Sequence, residues 1–301
     1  MAGRRIKALL DAAAGASAVG LLGALKRLDR KRTAKFAGAA MRKVGPLLKE
    51  HRLGRENLRA AFPEKSDAEI EQILAGVWDN LGRIAVEFAH LDEFRVESSG
   101  PVMPNSVTLS PETTERYERI RKGGKPVIAF ASHLANWEIS ALVVKSLGFN
   151  SAVLYRRPNI GAIGDVVTRL RTPLMGELVS TGLDAPLKLA RLLQSGVHVG
   201  MLADQHYTKG VEVTFFGRPC KANQLIALLA RQTGCPIHGL RVVRLPDGNS
   251  FWGELTDEVE PARDADGRID VTGTTQAINT VIEGWVREHP EQWLWLHRRW
   301  R

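Results

Sequence analysis

Apolar residues along the chain follow two different periods, and the change falls near residue 125. From residue 36 to about residue 94 they recur at three- and four-residue steps, and Pro46 and Pro63 divide the region into separate helices. The clearest stripe runs through Ile70, Ile73, Leu74, Val77, Leu81, Ile84 and Ala85, which turns one helix face toward a core. Asp67 is placed to cap that helix, with Glu69 and Glu71 in its first turn and its end near Phe88.

From Lys125 onward, short apolar runs alternate with helical segments. Residues 127–131 follow Lys-Gly-Gly-Lys-Pro as one continuous apolar run, the pattern of a strand buried on both faces. The pattern then predicts a helix over 134–147, a strand over 151–155, a helix over 161–171 and a strand over 177–180. A helix capped by Asp184 and ending near Gly196 precedes a strand over 197–202. This alternation is that of βαβ units and a parallel sheet. Asp247-Gly248 and Asp266-Gly267 mark tighter turns between later strands, and a helix over about 274–288 precedes an aromatic C-terminus. The expected class is α/β: a mixed, largely parallel sheet flanked by helices.

An apolar stretch over residues 8–25, charged only at Asp11, comes first and is followed by Lys26, Arg27, Arg30, Lys31, Arg32 and Lys35. Residues 1–60 hold 15 Lys/Arg against 4 Asp/Glu, so the positive excess of the whole chain, +9, is N-terminal. No helix-turn-helix, zinc-finger or RNP signature supports nucleic acid, whereas cations beside an apolar stretch suit a membrane surface. Ala16-Ser17-Ala18 resembles a signal-peptidase site, but the larger cluster of cations lies after the stretch. By the positive-inside rule that arrangement leaves the main domain in the cytoplasm. We therefore expect an anchor and basic cluster in 1–35, spanning rather than interfacial, and one α/β domain in 36–301 whose 36–95 part is helical. With 301 residues, 44% hydrophobic, the chain can build a substantial core without disulfides. Cys220 and Cys235 show no ligand spacing and fit a reducing compartment; neither metal nor cofactor is expected.

The segment His133-Leu134-Ala135-Asn136-Trp137-Glu138 carries the candidate chemistry, because it falls where strand gives way to helix. In an open α/β sheet ligands sit beyond the carboxyl ends of the strands. Five steps of a regular helix rotate through about 140°, so His133 and Glu138 converge only if His133 is still in the turn. Glu138 would then take one imidazole N–H and leave the other nitrogen to accept a proton from a hydroxyl. A strand-end histidine satisfied by backbone, with a glutamate favoured at a helix start, is equally compatible with the spacing.

The segment resembles the H-x4-D/E motif of glycerolipid-type acyltransferases, and in its His-x-x-Asn-Trp-Glu form that of the lipid A late acyltransferases. Further segments match that family in order: Asn57-Leu58-Arg59-Ala60-Ala61-Phe62-Pro63-Glu64; Trp78, Asn80, Gly82, Arg83 and Glu87; and Tyr155-Arg156-Arg157-Pro158-Asn159. Leu202-Ala203-Asp204-Gln205, Val213-Thr214-Phe215-Phe216-Gly217, and the ending from His289-Pro290-Glu291-Gln292-Trp293 to His297-Arg298-Arg299-Trp300 complete the set. The resemblance covers nearly the whole chain. It implies an N-terminal anchor, a catalytic domain on the cytoplasmic face of the bacterial inner membrane, and an acyl group carried by acyl carrier protein, or by coenzyme A. The acceptor would be a hydroxyl on a phosphorylated glycolipid, the lipid A precursor.

It also implies roles for individual residues. His133 would be the general base, Glu138 its partner and Arg171, with Arg169 in reserve, an oxyanion-stabilising arginine. Arg156, Arg157, Arg169, Asn136, Asp204, Arg298 and Arg299 are candidates for binding substrate. Asp204, at another strand end, could orient an arginine or the sugar. Phe215 and Phe216 with Gly217 are expected to cap the core, with contact to an acyl chain the alternative, while Trp293, Trp295 and Trp300 suit either a lipid interface or packing on the sheet. A phospholipid-forming acyltransferase acting on glycerol phosphate or lysophosphatidate would share the His/acid pair, and a non-catalytic membrane-bound lipid-binding protein is the rival outside enzymes.

Overall fold

The computed structural model describes residues 15–300 apart from 99, 101, 104–105 and 158–160. Helical residues 15–25 (α1) precede α2 (Arg30–Val44), a short 3-10 turn, α3 (Lys49–Ala61) and α4 (Asp67–Glu87). Of the expected anchor, residues 8–14 lie outside the described residues. Among those described, no helix is long and apolar enough to cross a membrane. The cap of α4 is Ser66 rather than Asp67, which is its first helical residue. The Ser66 hydroxyl accepts the Glu69 N–H and the Glu69 carboxylate accepts the Ser66 N–H, a reciprocal capping box. α2 lies directly on α4 because Gly82 has no side chain: a Cβ there would stand 2.5 Å from the Ala37 carbonyl oxygen.

The strands are β1 (Arg95–Ser98), β2 (Ser106–Leu109), β3 (Ile128–Ala131), β4 (Ser151–Tyr155), β5 (Glu177–Ser180), β6 (His198–Leu202), β7 (His206–Phe215), β8 (Arg218–Ala222), β9 (Ile237–Arg244) and β10 (Phe251–Glu258). Eight of them form one sheet in the order β1-β2-β10-β9-β3-β6-β4-β5. Every neighbouring pair is parallel except β9 and β10, joined by the turn holding Asp247-Gly248. The mixed, largely parallel sheet is thus as expected. The antiparallel hairpin β7–β8 stands apart from it.

Side chains of the central strands alternate between two apolar layers. On one face α5 (Pro111–Gly123), α6 (Glu138–Ser146) and α7 (Gly161–Met175) cover Leu240, Val242 and Leu255. On the other, α3, α4, α8 (Ala185–Gln194), α9 (Leu225–Thr233) and α10 (Val271–Glu288) cover Ile128, Phe130, Val199 and Ile237. Phe215, Phe216, Trp293 and Trp295 belong to this second layer, with ring centroids of the two tryptophans 4.7 Å apart, so they pack rather than face lipid.

The helix expected from residue 134 starts four residues later, at Glu138. Ala135 is left-handed (φ 45°) and its N–H donates to the Gln292 carbonyl at 2.9 Å, so the backbone cannot enter a helix there. Other boundaries shift as well. α7 continues to Met175 through Pro173, and α10 begins at Val271 because the Asp270 carboxylate accepts the N–H groups of Thr272 and Gly273.

Candidate active site

β3 ends at Ala131 and β6 at Leu202, and because the two strands are parallel neighbours, the residues that follow them meet. His133 and Asp204 are those residues. The Asp204 carboxylate accepts the His133 N–H through Oδ2 at 2.7 Å and the imidazole Nδ1–H through Oδ1 at 2.8 Å. Oδ2 also accepts the Trp293 indole N–H at 2.7 Å. Asp204 is fully buried. Burial alone would raise its pKa, but the adjacent imidazole and the donors around the carboxylate outweigh it and hold the group well below the usual carboxylate range.

This bonding fixes one tautomer. With Nδ1 donating, Nε2 is left as an acceptor, and the Gln205 side-chain amide donates to it at 3.3 Å. The Trp137 ring meets the imidazole edge-on at 5.0 Å. His297 stands behind the pair, its Nδ1 donating to the Leu294 carbonyl. Its burial, only partly offset by the Asp204 charge, lowers its pKa and favours the neutral ring.

Glu138 does not contact His133, contrary to expectation. As the first residue of α6 it is buried against Arg171 from α7, which donates Nε–H to Oε2 at 2.8 Å and a second guanidinium N–H to Oε1. The pair is bidentate and leaves the third guanidinium nitrogen, Nη1, uncommitted to Glu138. The Trp137 indole N–H also donates to Oε1 at 3.1 Å, linking the two acid-base pairs. The Glu138 backbone N–H is taken by Asn136 Oδ1 at 3.2 Å, so it is not available to a substrate oxygen.

His133, Trp137, Glu138 and Arg171 line a cavity of about 770 Å³ between the sheet and the α5–α7 layer. It exists because that face of the central strands carries small residues, Ala129 and Ala131 on β3 and Gly200 on β6. A Cβ on Gly200 would meet nothing within 4 Å. The walls are mostly apolar, including Ala141, Val144, Val153, Met175 and Leu178. The inner end, at the amino ends of the strands, is formed by Tyr117, Phe149 and His198, with Phe149 5.7 Å from the Tyr117 ring and 5.1 Å from the His198 ring. Arg121 closes it from outside, its guanidinium 4.7 Å from the Phe149 ring.

The other expected site residues divide. Arg156 is exposed and lines the cavity. Arg157 is exposed but paired with Asp165 at 2.6 Å, while Arg169 and Arg298 are exposed away from the cavity lining. Three expectations of substrate contact fail on burial. Asp204 holds His133 instead. Arg299 has no exposed surface and donates to the carbonyls of Gln205 and Lys221 and to Asn279 Oδ1. Asn136, also without exposed surface, donates to Glu87 Oε2 at 2.9 Å. Pro158 and Asn159 lie outside the described residues.

The C-terminal segment straps the turn of residues 132–137 in place. Leu294 N–H donates to the His133 carbonyl at 3.1 Å, Gln292 accepts from Ala135, and Asn80 donates to the carbonyls of both Ala135 and Gln292. The contacts that sequence reasoning missed are therefore Trp293 on Asp204, Gln205 on His133, and the Glu87–Arg244 pair beneath Asn136. Their family-matching segments were visible, but no short-range spacing connects them.

Comparison with known proteins places the chain in a family. Residues 11–301 match the family model described as bacterial lipid A biosynthesis acyltransferase. The chain is 25% identical over 266 residues to the lipid A biosynthesis palmitoleoyltransferase of Escherichia coli (strain K12), covering 85% of this chain and 80% of that protein. The lipid A biosynthesis acyltransferase of Shigella flexneri matches with the same identity and coverage.

Proposed function

Since the chain belongs to the bacterial lipid A biosynthesis acyltransferase family, and so transfers an acyl group to a lipid A precursor, we propose that His133 and Asp204 are its base and orienting acid. The donor in this reading is an acyl thioester on acyl carrier protein, and the acceptor a hydroxyl of the precursor. Its catalytic domain works at the cytoplasmic face of the inner membrane, held there by the N-terminal region.

The acceptor hydroxyl takes the place of the Gln205 amide at Nε2 of His133 and gives its proton to the ring as its oxygen attacks the thioester carbonyl. Asp204 stabilises the imidazolium that forms. The tetrahedral oxyanion is met by Arg171 through Nη1, while Glu138 keeps the guanidinium aimed and desolvated. Collapse expels the thiolate of the carrier, which takes the proton back from His133. No side-chain nucleophile is involved, and the Ser132 hydroxyl stays buried beside the base.

The observation that carries this reading is the His133–Asp204 pair at the open end of an apolar cavity. The fatty acyl chain lies in that cavity. β3 covers only Ile128–Ala131, so the six residue steps from Val127 to His133 span at most about 20 Å at ~3.3 Å per extended residue. An extended hydrocarbon advances about 1.25 Å per carbon, given C–C bonds of ~1.5 Å. The cavity therefore accommodates a chain of up to about 16 carbons.

The test is a reaction of the purified full chain with acyl carrier protein thioesters of graded length, offered an under-acylated lipid A precursor or lysophosphatidate and analysed by mass spectrometry. The proposal expects one acyl group added to the glycolipid and none to lysophosphatidate, with His133→Ala and Asp204→Asn folded but slowed at least about a hundredfold. Acylation of lysophosphatidate alone, or full activity in both variants, would overturn it.

A further inference from the structure

Residues 30–49 hold seven Lys/Arg and no Asp/Glu. α2 buries Arg30, Ala34 and Gly38 against its neighbours, and 100° steps from these place Arg32, Phe36 and Lys43 on the opposite side, with Leu47 following in the turn. Phe36 is 75% exposed and Leu47 83%, and Val44 and Leu48 are exposed beside them. Some of the cations are already used: Arg42 pairs with Asp79 at 2.8 Å, and Arg30 lies 3.5 Å from Glu93 and over the Phe94 ring. Arg32, Lys35 and Lys43 form no ion pair among the described residues.

We propose that the outer face of α2 and the turn after it form a seat on an anionic lipid surface, separate from the apolar segment 8–25. Phe36, Val44, Leu47 and Leu48 enter the boundary between headgroups and acyl chains, and Arg32, Lys35 and Lys43 meet lipid phosphates. Large apolar side chains set among uncompensated cations are what such a boundary accommodates, because it offers hydrocarbon and negative charge within a few ångströms of each other. A second copy of this chain is a poor occupant: a two-fold contact through this face would set cations against cations. The inference is independent of the acyl-transfer reading, since no residue of the cavity takes part.

The experiment uses the full chain with an environment-sensitive fluorophore at Phe36→Cys or at Leu47→Cys; the natural Cys220 and Cys235 are buried, and labelling of the unmodified chain gives the background. Blue shifts at both positions are expected on phosphatidylglycerol vesicles, weakening as salt is raised and absent on phosphatidylcholine vesicles. Because the probe reports the local environment, a tether supplied by residues 1–25 does not mask the result. Each cation near an anionic surface changes partitioning about fivefold, so the triple variant Arg32→Gln, Lys35→Gln, Lys43→Gln should lose roughly a hundredfold of the preference for phosphatidylglycerol. Probes that stay in water on phosphatidylglycerol, or shift equally on neutral vesicles, would overturn the proposal. So would shifts that appear without lipid, on self-association or with acyl carrier protein alone.

Discussion

His133 and Asp204, 71 positions apart in sequence, are joined twice, by the backbone N–H of His133 at 2.7 Å and by its imidazole Nδ1–H at 2.8 Å. The acid of the His-x4-Glu motif is thereby released from the histidine and joined to Arg171. The motif thus contributes to two pairs side by side, His133 with Asp204 and Glu138 with Arg171, which the proposed mechanism uses to move a proton and to meet developing charge.

This arrangement predicts a pattern of coupling. His133→Ala or Asp204→Asn should lower kcat by about 10²- to 10⁴-fold, the range for loss of a general base or of its orientation. In double-mutant cycles read by denaturant unfolding, His133 with Asp204, and Glu138 with Arg171, should show coupling above about 0.5 kcal/mol. His133 with Glu138 should be nearly additive. Strong coupling in that last cycle, with none between His133 and Asp204, would return the catalytic acid to Glu138.

The depressed pKa of Asp204 has a consequence for stability. A carboxyl whose folded pKa lies below its unfolded value, about 3.9, stabilises the fold fully above that value and loses the contribution as pH falls toward the folded one. Unfolding measured at a series of pH values should show the unmodified chain losing stability more steeply below about pH 4 than Asp204→Asn. Identical acid limbs would mean that the carboxyl is not ionised in the fold.

How much of this was legible in the sequence depends on the range of the contact. The strands at 151–155 and 177–180 are short local segments between helical stretches, and the structure has strands at both. His133 at the strand end was legible for the same reason. The partner of His133 was not, because it is set by β3 and β6 lying side by side, a neighbour relation that no local spacing encodes. The start of α6 was misplaced because Ala135 is held out of the helix by Gln292, far along the chain. The hairpin β7–β8 carried a faint signal in the alternation Val211, Val213, Phe215, whereas Arg299 reads as a surface cation until Asn279 and two carbonyls are seen around it.

Gly200 separates the needs of the fold from those of the substrate. A glycine inside a central strand weakens the strand, and here the space above it is empty. Gly200→Leu should therefore keep or raise the melting temperature while blocking the cavity, so that transfer of long acyl chains falls at least tenfold and short chains become the better donors. At the other end, Phe149→Ala should extend the accepted length. An unchanged chain-length profile in both variants, determined with graded thioesters, would remove the acyl chain from this cavity.

Beneath the catalytic turn lies a charge pair with no exposure to the cavity: Glu87, fully buried on α4, takes two N–H groups of Arg244 from β9, one of them at 2.9 Å. Arg244 also donates Nε–H to Asn80 Oδ1, and Glu87 accepts the Asn136 amide, so the pair reaches the turn through both asparagines. Removing one member strands a buried charge. Glu87→Gln or Arg244→Met should cost about 3–5 kcal/mol of stability by denaturant unfolding. Replacing both by methionine removes the unpaired charge and should recover much of that loss, as apolar substitutes for buried ion pairs often do. Activity should not recover with it, because Asn136 has lost its acceptor and no longer fixes the approach to Glu138. A double variant that is both stable and fully active would show that the pair supports the fold alone.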